Sequence, residues 1–143
     1  MSNGPTRGDK ISLRIPPDSI VYYSGMAQSS LNQVVQLKDS NEKEVFTMEG
    51  ASSPIKGGST TPKELKGGSF TATGPGEEYF LSIGTKSGTG TKWSQVLWDA
   101  NEIGLDNEVY LKSYTFISED STDPKALDYN DCYVSLHWFR TVG

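Results

Sequence analysis

From Lys10 onward, short runs of β-branched and aromatic residues recur along the chain. They lie at Ile11–Ile15, Ser19–Tyr23, Gln33–Leu37, Glu44–Met48, Ser69–Thr73, Glu78–Ile83, Thr91–Trp98, Glu108–Ser118 and Cys132–Phe139. The last three runs are each bounded by Gly, Asp, Asn or Pro, the residue types that reverse a chain. Runs this short and this closely spaced predict strands, and about nine of them predict an all-β fold, an antiparallel β-sandwich. The last run has the clearest parity. Cys132, Val134, Leu136 and Trp138 fall on one face, which predicts core, while Tyr133, Ser135 and His137 fall on the other.

The segments between the runs carry their own expectations. Residues 1–9 offer nothing to pack and predict a flexible N-terminus, so residues 10–143 are expected to form a single domain. Between Ala51 and Gly68 the composition turns to Ser, Thr, Pro, Lys and Gly, which predicts a long surface loop. Within it, Thr61, Pro62 and Glu64 match an N-cap, a first-turn proline and a capping-box glutamate, with Gly67 to end a helical turn.

Composition narrows the function classes. A chain of 143 residues can bury a core without disulfides or zinc. A net charge of −5 disfavours nucleic acid and anionic membrane surfaces and favours a cationic guest. No run approaches the ~20 apolar residues needed to cross a bilayer, so membrane insertion is not expected. The lone Cys132 makes no internal disulfide. With no leader pattern at the N-terminus, the expected location is cytoplasmic, or secreted without a leader.

The candidate chemistry lies in one segment. From Glu119 to Asp131, five carboxylates occupy thirteen positions, offset only by Lys125. The segment joins two apolar strands, so its ends are pinned and its charges cannot spread apart. Asp, Asn and Glu are the donors calcium takes, at about six to eight oxygens. If residues 128–130 are extended, Asp128 and Asn130 project one way and Tyr129 the other. The spacing is not that of an EF-hand, and one His with one Cys excludes an ordinary zinc site. From these residues alone, a calcium site and a solvated acidic turn both remain open.

At this loop the chain resembles the bacterial fucose-binding lectin II family. The shared elements are Ser-Glu-Asp-x-Thr-Asp at Ser118–Asp123, Asp-Tyr-Asn-Asp at Asp128–Asp131, and then an apolar strand with a Trp and a terminal Gly. A second match lies at Ala27-Gln28-Ser29-Ser30, followed by Gln33-Val34-Val35. The resemblance implies a β-sandwich lectin that holds a sugar through a pair of Ca²⁺ ions. It implies that Glu119, Asp123, Asp128 and Asp131 hold one ion, and that Asp128, Asn130 and Asp131 hold the other with help from Gln28. Ser29, Ser30 and Asp120 would then hydrogen-bond the sugar, and Gly143 would complete the site of a neighbouring subunit. The implied ligand is a glycan with a fucose- or mannose-like terminal sugar. Pro124–Leu127 stands where the family has a single residue.

Two rival readings accompany this one. A calcium-stabilised structural or protein-interaction module without sugar binding would need the acidic loop but not Ser29 and Ser30. An enzyme would need a nucleophile and base, yet Cys132 and His137 have odd separation on one strand and so face opposite ways; no catalytic residue is expected. Phe139 lies off the core parity and points to a homo-oligomer, a dimer or tetramer. Trp93, flanked by Lys92 and Ser94, is the residue best placed for stacking at any second site.

Overall fold

The computed structural model describes residues 2–54, 60–121, 123–125 and 127–141. Among them the chain forms thirteen strands: β1 (Asn3–Arg7), β2 (Ile11–Arg14), β3 (Ile20–Ala27), β4 (Gln33–Asp39), β5 (Glu44–Gly50), β6 (Ser53–Pro54), β7 (Thr60–Thr61), β8 (Lys63–Thr71), β9 (Glu78–Ser87), β10 (Gly90–Trp93), β11 (Gln95–Leu105), β12 (Glu108–Glu119) and β13 (Cys132–Phe139). Six form a sheet in the order β1-β11-β12-β13-β3-β8, and a second sheet runs β10-β9-β4-β5 with β2 also paired to β9. Every pairing is antiparallel. The all-β sandwich expected from the pattern is the observed fold.

The core lies between the two sheets. Cys132, Val134, Leu136 and Trp138 point inward, as their parity predicts, and meet Val35, Leu37, Leu81 and Ile83 of the facing sheet in one buried cluster. Tyr23 and Phe46 bridge the sheets with parallel rings, 3.9 Å between centroids, and Phe70 packs against both.

Three expectations are corrected. The N-terminus is not free: Asn3–Arg7 adds a strand to the edge of β11. Ladder bonding uses backbone N–H and C=O groups alone, so a segment with little to bury can still pair. The Thr61–Gly67 segment forms no helical turn, because Lys63–Thr71 pairs with β3 and buries Leu65. That pairing outweighs a local capping signal, and it also shortens the expected loop. The run Thr91–Trp98 is split between the sheets. Ser94 crosses from β10 to β11, and Gly8 beside it crosses from β1 to β2. Gly8 donates to Ser94 O at 2.8 Å and accepts from Ile83 N at 2.7 Å. A Cβ on Gly8 would come within 2.5 Å of Ile83 O, so this seam needs glycine.

The longest ladder is the β11–β12 hairpin, which turns through Asp106 and Asn107, both in left-handed backbone conformation. A two-residue loop of that kind matches the twist of the strands it joins. It aligns Gln95 opposite Glu119 at the other end, where the acidic loop begins. Leu136 is fully buried between the sheets; Leu136→Ala is expected to lower unfolding free energy by about 2–5 kcal/mol, measured by urea denaturation.

Candidate metal and ligand site

The ladder ends define the site. β12 stops at Glu119 and β13 starts at Cys132, and the intervening loop folds back so that Asp131 N donates to Ser118 O at 3.0 Å. Beside it, Gln28 N donates to Asp131 O at 2.9 Å, joining the end of β3 to the end of the acidic loop.

Glu119 is buried, 3% exposed, and none of the six ion pairs among the described residues reaches it. Its Oε1 accepts the N–H groups of Asp128 at 2.9 Å and Tyr129 at 3.3 Å, and its Oε2 accepts that of Ser121 at 3.0 Å. Burial opposes its charge, but hydrogen bonds from Asp131 and from these backbone groups outweigh burial and hold the carboxyl down at about 2. Asp131 goes the other way. Burial, the shared hydrogen bond with Glu119 and the nearby charges of Asp120 and Glu119 push it up to about 7, against the pull of the Asp120 N–H. Glu119, Asp128 and Asp131 each offer an oxygen, and these oxygens lie within 4.8 Å of one another. An all-oxygen group this crowded, with no ion-pair partner among the described residues, fits a hard divalent ion.

The remaining expected residues divide. Asp120 Oδ2 accepts from the Ser29 hydroxyl at 2.6 Å, so the Ser29 loop does meet the acidic loop. Ser29 is buried, and its Oγ also accepts from Leu31 N at 3.0 Å. Ser30, Gln28 and Asn130 are exposed around this junction. Asp123 is not gathered with the three carboxylates. It is exposed, and its Oδ1 accepts from Lys125 N at 3.0 Å, inside the Pro124–Leu127 insertion. Residues 128–130 are not extended either, since Tyr129 has φ of 52°. Tyr129 is nevertheless half-buried, its hydroxyl donating to Gln95 Oε1 at 3.4 Å, while Asp128 and Asn130 are exposed. Gly143 lies outside the described residues.

Two supporting glutamines were not expected. Gln33 is fully buried, and its Nε2 reaches Leu31 O at 3.1 Å and both Thr85 Oγ1 and Asp120 Oδ2 at 3.4 Å. A polar residue on the apolar parity of Gln33, Val35 and Leu37 is the signal that marks it. Gln95 holds the loop from the other side, donating Nε2 to Ser121 O at 3.4 Å. Cys132 and His137 stay on opposite faces. Cys132 is buried with its thiol pushed up to about 12 by burial and by Asp131, and His137 stacks on Tyr22.

The fucose-binding lectin II (PA-IIL) profile matches residues 13–140, nearly the whole sandwich and all of the acidic loop. The chain belongs to the fucose-binding lectin II family. Its kinship is with carbohydrate-binding lectins. No curated protein sequence matches the lectin closely enough to add a relative. Among solved structures, it is similar to the C-terminal domain of the BC2L-C lectin from Burkholderia cenocepacia, with TM-score 0.68 and 18% identity over 96% of this chain and 100% of that one. It is also similar to a high-affinity mannose-binding lectin of Ralstonia solanacearum, with TM-score 0.65 and 21% identity over 92% and 96% of the two chains. A third is the Chromobacterium violaceum lectin CV2L in complex with α-methyl-fucoside, with TM-score 0.63 and 20% identity over 96% and 99%. At these identities the likeness is one of fold.

The carboxylate pair makes the metal-free lectin pH-sensitive. The raised Asp131 contributes stability at acid pH that is lost as the pH rises through about 7. The depressed Glu119 contributes stability present at neutral pH that is lost as the pH falls toward about 2. Thermal melts in chelator are expected to show stability falling as the pH rises from about 4 to about 7 and levelling above that; a flat profile between those values would contradict the raised Asp131.

Proposed function

We propose that this lectin binds a fucose- or mannose-like terminal sugar in a calcium-dependent way at the acidic loop. The observation that carries the reading is the convergence of Glu119, Asp128 and Asp131, none of them in an ion pair among the described residues, next to an Asp120 that Ser29 holds in place. Those three carboxylates would hold the metal, with Asn130 and Gln28 exposed at the rim to add oxygens. When bound, calcium supplies coordination positions at which neighbouring sugar hydroxyls can replace water. Two similar folds bear on the sugar class, one named as mannose-binding and one solved with α-methyl-fucoside.

The chain's own groups would orient the ligand. Asp120 Oδ2 takes the Ser29 hydroxyl and the Gln33 amide, whereas its Oδ1 accepts no hydrogen bond among the described residues. That oxygen would accept a sugar hydroxyl, with the exposed Ser30 hydroxyl as a second group for the ligand. Ser29 therefore acts on the sugar through Asp120. This link favours the lectin reading over a metal-stabilised module, in which the Ser29 loop would have nothing to do.

Calorimetric titration of calcium into chelator-stripped protein, followed by methyl α-L-fucoside and methyl α-D-mannoside, tests the proposal. Sugar heat is expected only after calcium, and Asp120→Asn should retain calcium binding while weakening the sugar by about ten-fold. Sugar binding of equal strength in chelator would sink the calcium-dependent reading. Because the charges repel once the metal is removed, chelator should also lower the melting temperature at pH 8 more than at pH 5.

Weak single sites gain avidity from several on one assembly, and the outer face of the six-stranded sheet suits a homo-oligomer. There the register places Tyr22 opposite His137, Ser24 opposite Ser135 and Met26 opposite Tyr133, so aromatic or apolar pairs flank a central pair of small residues. Such a pattern is self-complementary about a two-fold axis through the serines. Phe139, 55% exposed, extends the face. Tyr22→Arg combined with Phe139→Arg is expected to shift the protein to monomer in sedimentation; an unchanged mass would place any interface elsewhere.

A further inference from the structure

A polar hollow of about 480 Å³ lies on the seam between the sheets, with Pro5, Arg7, Lys92, Trp93, Ser94 and Gln95 among its lining residues. Its position ties it to the acidic site. Gln95 stands opposite Glu119 in one ladder and opposite Arg7 in the next. With strands ~4.8 Å apart, Arg7 is roughly 10 Å from Glu119, the span of a short oligosaccharide. On the other side, Lys92 stands opposite Thr85, whose hydroxyl shares the Gln33 amide with Asp120.

The chemistry of the hollow is opposite to that of the loop. The chain carries a net charge of −5, yet two cations and no carboxylate line this surface. Lys92 has no ion pair among the described residues, and Arg7 pairs only with Asp9, at 3.4 Å and largely in solvent, a contact too weak to hold it against a bound anion. Trp93 is half-buried, so part of its ring stays open to a ligand. Ser94 is 3% exposed, and its hydroxyl has no partner among the described residues. That hydroxyl is itself shut off from solvent, so Ser94 lines the hollow without offering its Oγ to a ligand.

We propose that this hollow is a second subsite of the lectin, taking a sugar unit beyond the terminal one and selecting an anionic group on it, a carboxylate or a sulfate. Trp93 packs against the ring, while Arg7 and Lys92 hold the anion through charge-assisted hydrogen bonds. The inference rests on the carbohydrate reading of the acidic loop.

The full-length, calcium-loaded protein is titrated calorimetrically with methyl α-L-fucoside, methyl α-D-mannoside, a neutral fucosylated trisaccharide, and the O-sulfated and sialylated forms of that trisaccharide. At least one anionic form is expected to bind about ten-fold tighter than the neutral one, with the gain shrinking as salt rises from about 0.05 M to about 0.5 M. A gain for the sulfated form alone assigns the subsite to sulfate, and a gain for both assigns it to either anion. Lys92→Glu, on an exposed position, should remove the gain and leave monosaccharide affinity unchanged. Equal affinity for neutral and anionic trisaccharides, or a preference that survives Lys92→Glu, overturns the subsite. If the monosaccharides bind while the anionic gain is missing, only the subsite is lost. If neither monosaccharide binds with calcium present, the carbohydrate reading fails and the subsite fails with it.

Discussion

A buried carboxylate with no ion-pair partner among the described residues is the constraint around which one end of this lectin is arranged. Glu119 gives up most of its contact with water and, among the described residues, is compensated by three backbone N–H groups and a hydrogen bond from Asp131. The donors at residues 121, 128 and 129 come from both ends of the loop, so the loop must close over the carboxylate for the charge to be tolerated. Closing it brings Asp128 and Asp131 close to Glu119 and raises the charge density further. A bound cation would resolve the conflict that the fold itself creates.

The sandwich supplies the rigidity that this arrangement needs. Glu119 and Cys132 end adjacent strands of the six-stranded sheet, and Ala27 stands opposite Cys132 in the next. Three strand ends thus hold the acidic loop and the Ser29 loop in register, and Gln33 and Gln95 prop them from below and from the side. The same seam that sends Gly8 and Ser94 from one sheet to the other forms the wall of the basic hollow. Opposite charges therefore sit a few strands apart on a chain whose average charge is negative.

The parity of the final strand was legible because alternation is a local property: a side chain two residues on faces the same way whatever the rest of the chain does. The ladder of Asn3–Arg7 on β11 was not legible, because backbone pairing to an open edge leaves no mark in side-chain composition. At Thr61–Gly67 the sequence carried a real helical cue, and pairing of Lys63–Thr71 with β3 prevailed over it. The Asp106-Asn107 hairpin turn was not read from the sequence, where the run before it ends at Trp98 although β11 continues to Leu105. Tyr129 was placed on the packing side for the wrong local reason, its left-handed φ taking the place of extended alternation.

By itself the sequence determined the all-β class, the inward face of the last strand, the family resemblance and the segment that carries the charge. These follow from residue type and short-range spacing. Tertiary structure alone decided which carboxylates meet, drawing Glu119, Asp128 and Asp131 together and leaving Asp123 in its own turn. It also decided that Ser29 faces Asp120 across 91 positions of chain, and that Trp93 shares a hollow with Arg7 from the far N-terminus. The physical reason is that ligand sites depend on distances between side chains on different strands. Those distances come from ladder register and loop closure, which only the packed sheets specify.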